Sequence, residues 1–225
     1  MQHAQETTNV AFVPGFMQPT EAWAPVAERI AEQGWPITYG PAEDAVTVGY
    51  SHGGRVALHT THRGLVLVGA TPGIEDDAER EARRQSDEEL AAWMETHSIE
   101  DVVARWEKQS IFATQSAALV EAQRPGRLAH DPKELAAQLR ATGQGVLPPV
   151  WDQLAEVTIP VLAIAGELDE KYAAIARRMA SALPRGEVAI VEGAGHAPQL
   201  ERPEAVAQLL GEFLDQHFRE GVVRH

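Results

Sequence analysis

The stretch Gly49-Tyr50-Ser51-His52-Gly53-Gly54 constrains this chain more than any other, because it stands between an apolar run, Ala45-Val46-Thr47-Val48, and a helical pattern. A G-x-S-x-G sequence between strand and helix forces its serine into a tight, strained turn, and the flanking glycines let neighbouring backbone come close. Such a turn raises the hydroxyl above a sheet edge. It also sets backbone N–H groups at a helix N-terminus, where unsatisfied donors and the helix dipole stabilise developing negative charge. The motif therefore predicts a reactive Ser51, with the N–H of His52 as one oxyanion donor. Stripped of its context, the same stretch reads as a glycine-rich turn with a capping serine.

Short β-branched runs predict further strands at 9–13, 45–50, 64–69, 159–165 and 187–191. Helical patterns fall at 20–33, 52–61, 170–183 and 203–217. The last opens on Pro203, suited to a first turn, and carries Val206, Leu209, Leu210 and Phe213 on one face. Alternation of this kind argues for a mostly parallel sheet flanked by helices. With 225 residues, 44% of them hydrophobic, the chain can bury one sizeable core. Within 72–149, however, strand-like runs vanish, and Leu90, Trp93, Met94, Val102, Val103 and Trp106 recur at helical spacing. The expected organisation is a core made of 1–71 and 150–225, with a helical cap insertion at 72–149 over the carboxyl ends of the strands, where such sheets bind ligands. The Trp and Met positions of the insertion read first as packing residues. The stretch 35–39 fits less easily. Only residues 40–44 separate it from the run beginning at Ala45, whereas neighbouring parallel strands need a crossover of roughly a dozen residues. It is a loop, a short edge piece, or the remnant of a lost strand-helix excursion.

A serine hydroxyl needs a base and the base an orienting acid, and after this type of turn they follow in the order acid, then histidine. The strand predicted at 159–165 runs into Gly166-Glu167-Leu168-Asp169, where Asp169 lies further into the loop than its competitor Glu167; Glu170 suits the start of the next helix. Gly193-Ala194-Gly195-His196-Ala197-Pro198 follows the last strand and can carry an imidazole over Ser51. A neutral imidazole near pH 7 suits proton abstraction. The catalytic expectation is Ser51, Asp169 and His196. A second oxyanion donor is expected after the first strand, in Val13-Pro14-Gly15-Phe16-Met17, from the N–H of Phe16. His3, His59, His62, His97, His130, His217 and His225 read as structural or solvated.

Nineteen basic against 33 acidic residues give a net charge of −14, a field that repels polyanions, so nucleic acid is not an expected partner. The absence of cysteine removes disulfides and thiolate sites. Because no histidine pair has the helical spacing of a zinc site, no metal is expected, nor any other cofactor. Met1 to Asn9 carry neither a basic nor an apolar leader region, and no stretch approaches the roughly 18 apolar residues of a membrane span. These features predict a cytoplasmic protein with no membrane partner, and the catalytic expectation of Ser51, Asp169 and His196 points to a small-molecule substrate.

From end to end the chain resembles the α/β-hydrolase superfamily, and within it the MenH-type enzymes of menaquinone biosynthesis, the 2-succinyl-6-hydroxy-2,4-cyclohexadiene-1-carboxylate (SHCHC) synthases. The narrower likeness rests on Gly49-Tyr50-Ser51-His52-Gly53-Gly54-Arg55 and on Gly69-Ala70-Thr71-Pro72-Gly73-Ile74. It extends to Glu79-Arg80-Glu81-Ala82-Arg83-Arg84 with Asp87, to the segment from Trp106 to Phe112, and to the Lys171-Tyr172 pair after the acid. The resemblance implies an α/β-hydrolase fold and a lyase that eliminates pyruvate from a cyclic polycarboxylate. By it, Arg55, Arg83 and Arg127 bind substrate carboxylates, Tyr50 and Trp106 line the pocket, and the serine acts as a base through its histidine. Read without the resemblance, Arg83 and Arg127 are solvated residues paired with Glu79 or Asp131. Three departures stand out: Pro14 where the superfamily usually has histidine, His52 where it has a small or apolar residue, and a shortened excursion before the nucleophile strand. They keep open a serine hydrolase of small carboxylic esters or thioesters, and an idle fold that only binds a ligand.

Overall fold

The computed structural model describes residues 8–219, so His3, His225 and most of the polar amino-terminal stretch lie outside the described residues. The chain opens with β1 (Val10–Val13), a 3-10 turn at Thr20–Trp23 and α1 (Ala24–Glu32). Then come β2 (Ile37–Tyr39), β3 (Val46–Tyr50), α2 (His52–Ala57) and β4 (Gly64–Val68). Four helices follow: α3 (Asp77–Met94), α4 (Ile99–Trp106), α5 (Ala117–Leu128) and α6 (Pro132–Thr142). The chain closes with β5 (Val161–Gly166), α7 (Glu170–Ala182), β6 (Gly186–Val191), α8 (Pro198–Glu201) and α9 (Pro203–His217). All five strand pairings are parallel, in the order β2-β1-β3-β4-β5-β6. The parallel α/β sheet expected from the alternation of elements is therefore the one observed.

Successive side chains of a strand point to opposite faces, and that alternation divides the core in two. Val10, Phe12, Val46, Val48, Val66 and Ile164 face α1 and α9, meeting Ile30, Val206, Leu210 and Phe213. Leu65, Leu67, Val161, Ala163 and Ala165 face α2 and α7, meeting Ala57, Ala173, Ala176 and Met179. Covered on both sides, β3 and β4 are buried at every position, which is why they read as unbroken apolar runs.

The stretch 35–39 resolves as a short edge strand. Ile37 pairs with Val10 of β1, and Val10 pairs on its other side with Val46 of β3, so β2 and β3 are not neighbours and no long crossover is needed. Residues 40–45 reach about 20 Å when extended, enough to run back along a three-residue strand and past β1. Without a helix in that connection, a cavity of about 620 Å³ opens between Pro41–Asp44 and α2; it contains none of Ser51, Asp169 or His196. The helix expected at 52–61 stops early: the His62 ring meets the Ala57 carbonyl at 2.8 Å and the Thr47 hydroxyl at 2.9 Å, a structural role for this histidine.

Helices α3, α4 and α6 build a third apolar cluster from Ala91, Met94, Val102, Val103, Leu135 and Leu139, and it takes in Phe16 and Met17 from the loop after β1. Asp76, Ser98, Ser116 and Asp131 cap α3–α6 with their side chains, each satisfying orphan N–H groups of a first turn. Among the described residues no helix is long and apolar enough to cross a membrane.

Helix α2 rises from β3 with almost no clearance. A Cβ on Gly49 would lie 2.6 Å from Gly54 Cα, and one on Gly53 would lie 2.3 Å from the Pro14 carbonyl oxygen. Backbone at both places cannot move aside cheaply, so Gly49→Ala is expected to cost about 1–3 kcal/mol. Urea denaturation should show a lower midpoint at unchanged slope; a wild-type midpoint would mean that the elbow has slack.

Candidate active site

Ser51 has φ +48° and ψ −111°, a conformation that costs a non-glycine residue on the order of 1–3 kcal/mol and survives only where its surroundings enforce it. Here its N–H donates to the Val68 carbonyl at 2.8 Å, and its carbonyl accepts the Arg55 N–H at 3.0 Å. Its hydroxyl lies 3.2 Å from His196 Nε2, and His196 Nδ1 lies 2.7 Å from Asp169 Oδ2. A carboxylate only accepts, so Nδ1 carries the proton and Nε2 presents a lone pair to the serine. Asp169 Oδ1 accepts the Tyr172 N–H at 3.2 Å, which makes the same carboxylate the cap of α7.

Of the two acids weighed in the sequence, Asp169 is the one beside His196, whereas Glu167 turns away and accepts the Gly193 N–H at 3.0 Å. Glu201 adds two braces, accepting the Gly195 and Ala197 N–H groups at 2.9 and 3.2 Å, so the imidazole rides on a loop pinned on both sides. His196 is 4% exposed, with the Tyr172 and Tyr50 rings at 4.6 and 5.6 Å.

Phe16 and His52 face each other, rings edge-on at 6.2 Å. In the loop after β1 the hydrogen bond runs from the Gln18 N–H to the Gly15 carbonyl at 3.2 Å and leaves the Phe16 N–H out. His52 is the first residue of α2, so its N–H has no acceptor within the helix. The His52 imidazole is buried, and that burial, with Arg55 beside it, pushes its pKa down to about 4.

A cavity of about 360 Å³ above Ser51 is lined by Tyr50, Arg55, Arg83, Trp106, Arg127 and His196, so the binding residues expected from sequence border a single cavity. Trp106 also packs against Phe16 and Phe112, at 5.2 and 5.9 Å, and serves both the helical cluster and the cavity. The three arginines differ in what already holds them. Arg83 donates to Asp87 at 2.8 Å and to Gln144 at 2.5 Å. Arg127, 1% exposed, donates to Glu107 and Gln123, each at 3.0 Å, and Arg124 shares Glu107. The pairing of these two with Glu79 or Asp131 is therefore corrected: Asp131 caps α6, the Glu79 N–H is tied to Asp76, and Arg127 is not solvated at all. Arg55 has no carboxylate. Its Nη2 donates to the Thr142 carbonyl at 2.9 Å and its buried Nε has no partner. Burial lowers its pKa to about 10, which still leaves it charged at neutral pH and in want of an anion.

Sequence reasoning missed Thr142, Gln144 and Glu201, which hold the working groups in place. Only Gly143, one residue past α6, hints that a helix ends there. No group of three His, Cys, Asp or Glu able to hold a metal occurs among the described residues.

The sequence profile of the alpha/beta hydrolase family matches residues 11–209. A relative from Bacillus subtilis (strain 168) is 35% identical over 176 residues, 74% of this chain and 64% of its own length. The 2-succinyl-6-hydroxy-2,4-cyclohexadiene-1-carboxylate synthase of Citrobacter koseri is 35% identical over 173 residues, 74% of this chain and 67% of that protein. The chain thus spans about two thirds of the curated relatives it matches. Among solved structures, MenH from S. aureus superposes with a TM-score of 0.88 at 25% identity, over 95% of each chain. A malate-bound thermophilic esterase from Thermogutta terrifontis reaches 0.74 at 20% identity over 93% of this chain and 90% of its own, a likeness of fold.

His52 generates a prediction about pH. Its folded pKa of about 4 lies below the ordinary value of 6.5, so between the two the unfolded chain binds more protons and stability falls as pH drops. The loss is absent above pH 6.5 and grows to about 3 kcal/mol near pH 4. Urea denaturation between pH 7 and 4.5 should show His52→Gln losing less stability than wild type; parallel curves would contradict the burial of a neutral imidazole.

Proposed function

The chain belongs to the alpha/beta hydrolase family, and we propose that it is a lyase eliminating pyruvate from a cyclic polycarboxylate to give 2-succinyl-6-hydroxy-2,4-cyclohexadiene-1-carboxylate. The product is the one named for the Citrobacter koseri relative. The observation that carries the reading is the presence of Arg55, Arg83 and Arg127 in the cavity above Ser51, since a pocket so rich in guanidinium groups suits a ligand with several carboxylates.

In this reading His196, oriented by Asp169, takes the Ser51 proton, and the Ser51 oxygen removes a proton from a substrate carbon next to a carbonyl group. Negative charge gathers on that carbonyl oxygen, held by the Phe16 and His52 N–H groups. The electron pair then forms the ring double bond as the C–O bond to the enolpyruvyl group breaks. The leaving enolate takes a proton from the histidine side at its terminal carbon, which gives pyruvate and restores the neutral imidazole. Helices α3–α6 act as a cap that keeps bulk water from the carbanion-like intermediate. The partner is a small molecule; neither nucleic acid nor a membrane takes part, and the reaction is cytoplasmic.

The hydrogen-bonded Ser51, His196 and Asp169 also favour a second reading, a serine hydrolase of small carboxylic esters, because acyl transfer needs the same alignment. Incubation with the enolpyruvyl substrate separates the two. Pyruvate release is expected, Ser51→Ala should lower kcat/KM by at least about 10³-fold, and Arg55→Met should raise KM by about tenfold or more. Rapid ester hydrolysis with an acyl-enzyme burst, and no pyruvate, would leave the hydrolase standing.

A further inference from the structure

Two of the three cavity arginines meet at the carboxyl end of α6. Arg55 donates to the Thr142 carbonyl at 2.9 Å and Arg83 to the Gln144 side chain at 2.5 Å. A helix carboxyl end offers unpaired carbonyls and partial negative charge, both of which suit guanidinium. The His52 ring, beside Arg55 on the same helix α2, also ties this helix end to the elbow. Its Nε2 lies 2.8 Å from Thr142 Oγ1, and the Thr142 hydroxyl itself donates to the Gln138 carbonyl at 3.0 Å. A hydroxyl has one proton, so the bond to His52 runs from Nε2–H to Oγ1. Nδ1 then keeps its lone pair and faces the Gln138 amide nitrogen at 3.4 Å. Together the two contacts require the neutral, Nε2-protonated ring, because only there does Nε2 donate while Nδ1 accepts.

We infer that His52 is a positioning residue for substrate binding, which through Thr142 fixes the distance between the Arg55–Arg83 pair and the oxyanion donors. The inference rests on reading the cavity as a carboxylate site. One residue thereby spans the two halves of the reaction: its N–H faces the reacting oxygen, and its ring holds the helix end on which the arginines rest. Thr142 is gripped at both ends, hydroxyl by His52 and carbonyl by Arg55. A shift of the helix end would carry the guanidinium groups, and any carboxylate they hold, away from Ser51. An apolar side chain at this position, as is usual in the superfamily, cannot make the link.

The test compares wild type with His52→Leu, His52→Gln, Thr142→Val and the Leu–Val double variant. It reads KM and kcat for the cyclic polycarboxylate and the Kd of benzene-1,2-dicarboxylate as a probe. Leucine keeps the volume without the donor; glutamine returns an N–H near the place of Nε2; valine removes the hydroxyl and keeps the carbonyl. Leu and Val should each raise KM and Kd about three- to tenfold, and Gln should recover to within about twofold. The larger part of each loss should fall in KM rather than kcat. The double variant should be no worse than either single one, because both remove the same contact. Additive losses, or a glutamine variant as impaired as leucine, overturn the inference. So does a wild type that releases pyruvate while its variants keep the wild-type KM. A wild type whose dicarboxylate affinity follows the expected pattern, yet which releases no pyruvate, leaves the positioning role intact and removes the lyase reading. A wild type that neither binds the dicarboxylate nor releases pyruvate removes both.

Discussion

The contact between β3 and α2 is the constraint on which the rest of the site depends. Ser51 is held at positive φ because the backbone on either side has nowhere else to go: Gly49 lies against Gly54, and Gly53 lies against Pro14. The strain is local and opposed by two large apolar layers, so the sheet can sustain it. From that turn three things follow. The hydroxyl rises over the strand ends, the His52 N–H is left without an intrahelical acceptor, and the loop after β1 is drawn close enough for Phe16 to meet His52. His196 and Asp169 come from loops after β6 and β5, which Glu201 and Glu167 brace with bonds to backbone N–H groups.

Charge is distributed against the overall balance of the chain. A protein of net charge −14 places three guanidinium groups in one small cavity, and it offsets two of them with Asp87 and Glu107. Those pairs lower the cost of burying the cations and fix their directions, whereas Arg55 is held only by a carbonyl. The cavity thus has two pre-set arms and one cation awaiting a counter-charge. An anionic ligand would gain most at Arg55, because it replaces no existing ion pair there.

Much of this was legible in the residues. Short, unbroken β-branched runs marked the strands, since a sheet covered on both faces leaves few polar positions to interrupt them, and G-x-S-x-G between strand and helix located the elbow. The Asp169 loop and the His196 loop could be found by chain order. Other features were not legible, for physical reasons. The run 35–39 looked incompatible with its neighbour because adjacency in sequence does not say which strand pairs with which, and β1 slots between them. Glu107 meets Arg127 across 20 residues and Gln144 meets Arg83 across 61, contacts that exist only once the helices fold back, so Glu107 could not be preferred to Asp131 by spacing; Asp87, four residues after Arg83 on the same helix, was within reach of a spacing argument. Thr142 and Gln144 carry no signature: an ordinary helix end becomes part of the site only because of where the third apolar cluster docks it.

The central claim is that Ser51 removes a proton from carbon while arginines hold the substrate by its carboxylates. The measurement closest to it is the kinetic isotope effect on kcat/KM with deuterium at the carbon that loses its proton, taken together with the intact mass of the protein during turnover. The account predicts a normal primary isotope effect and an unmodified chain. An isotope effect of unity, with an acyl group accumulating on Ser51, would contradict it.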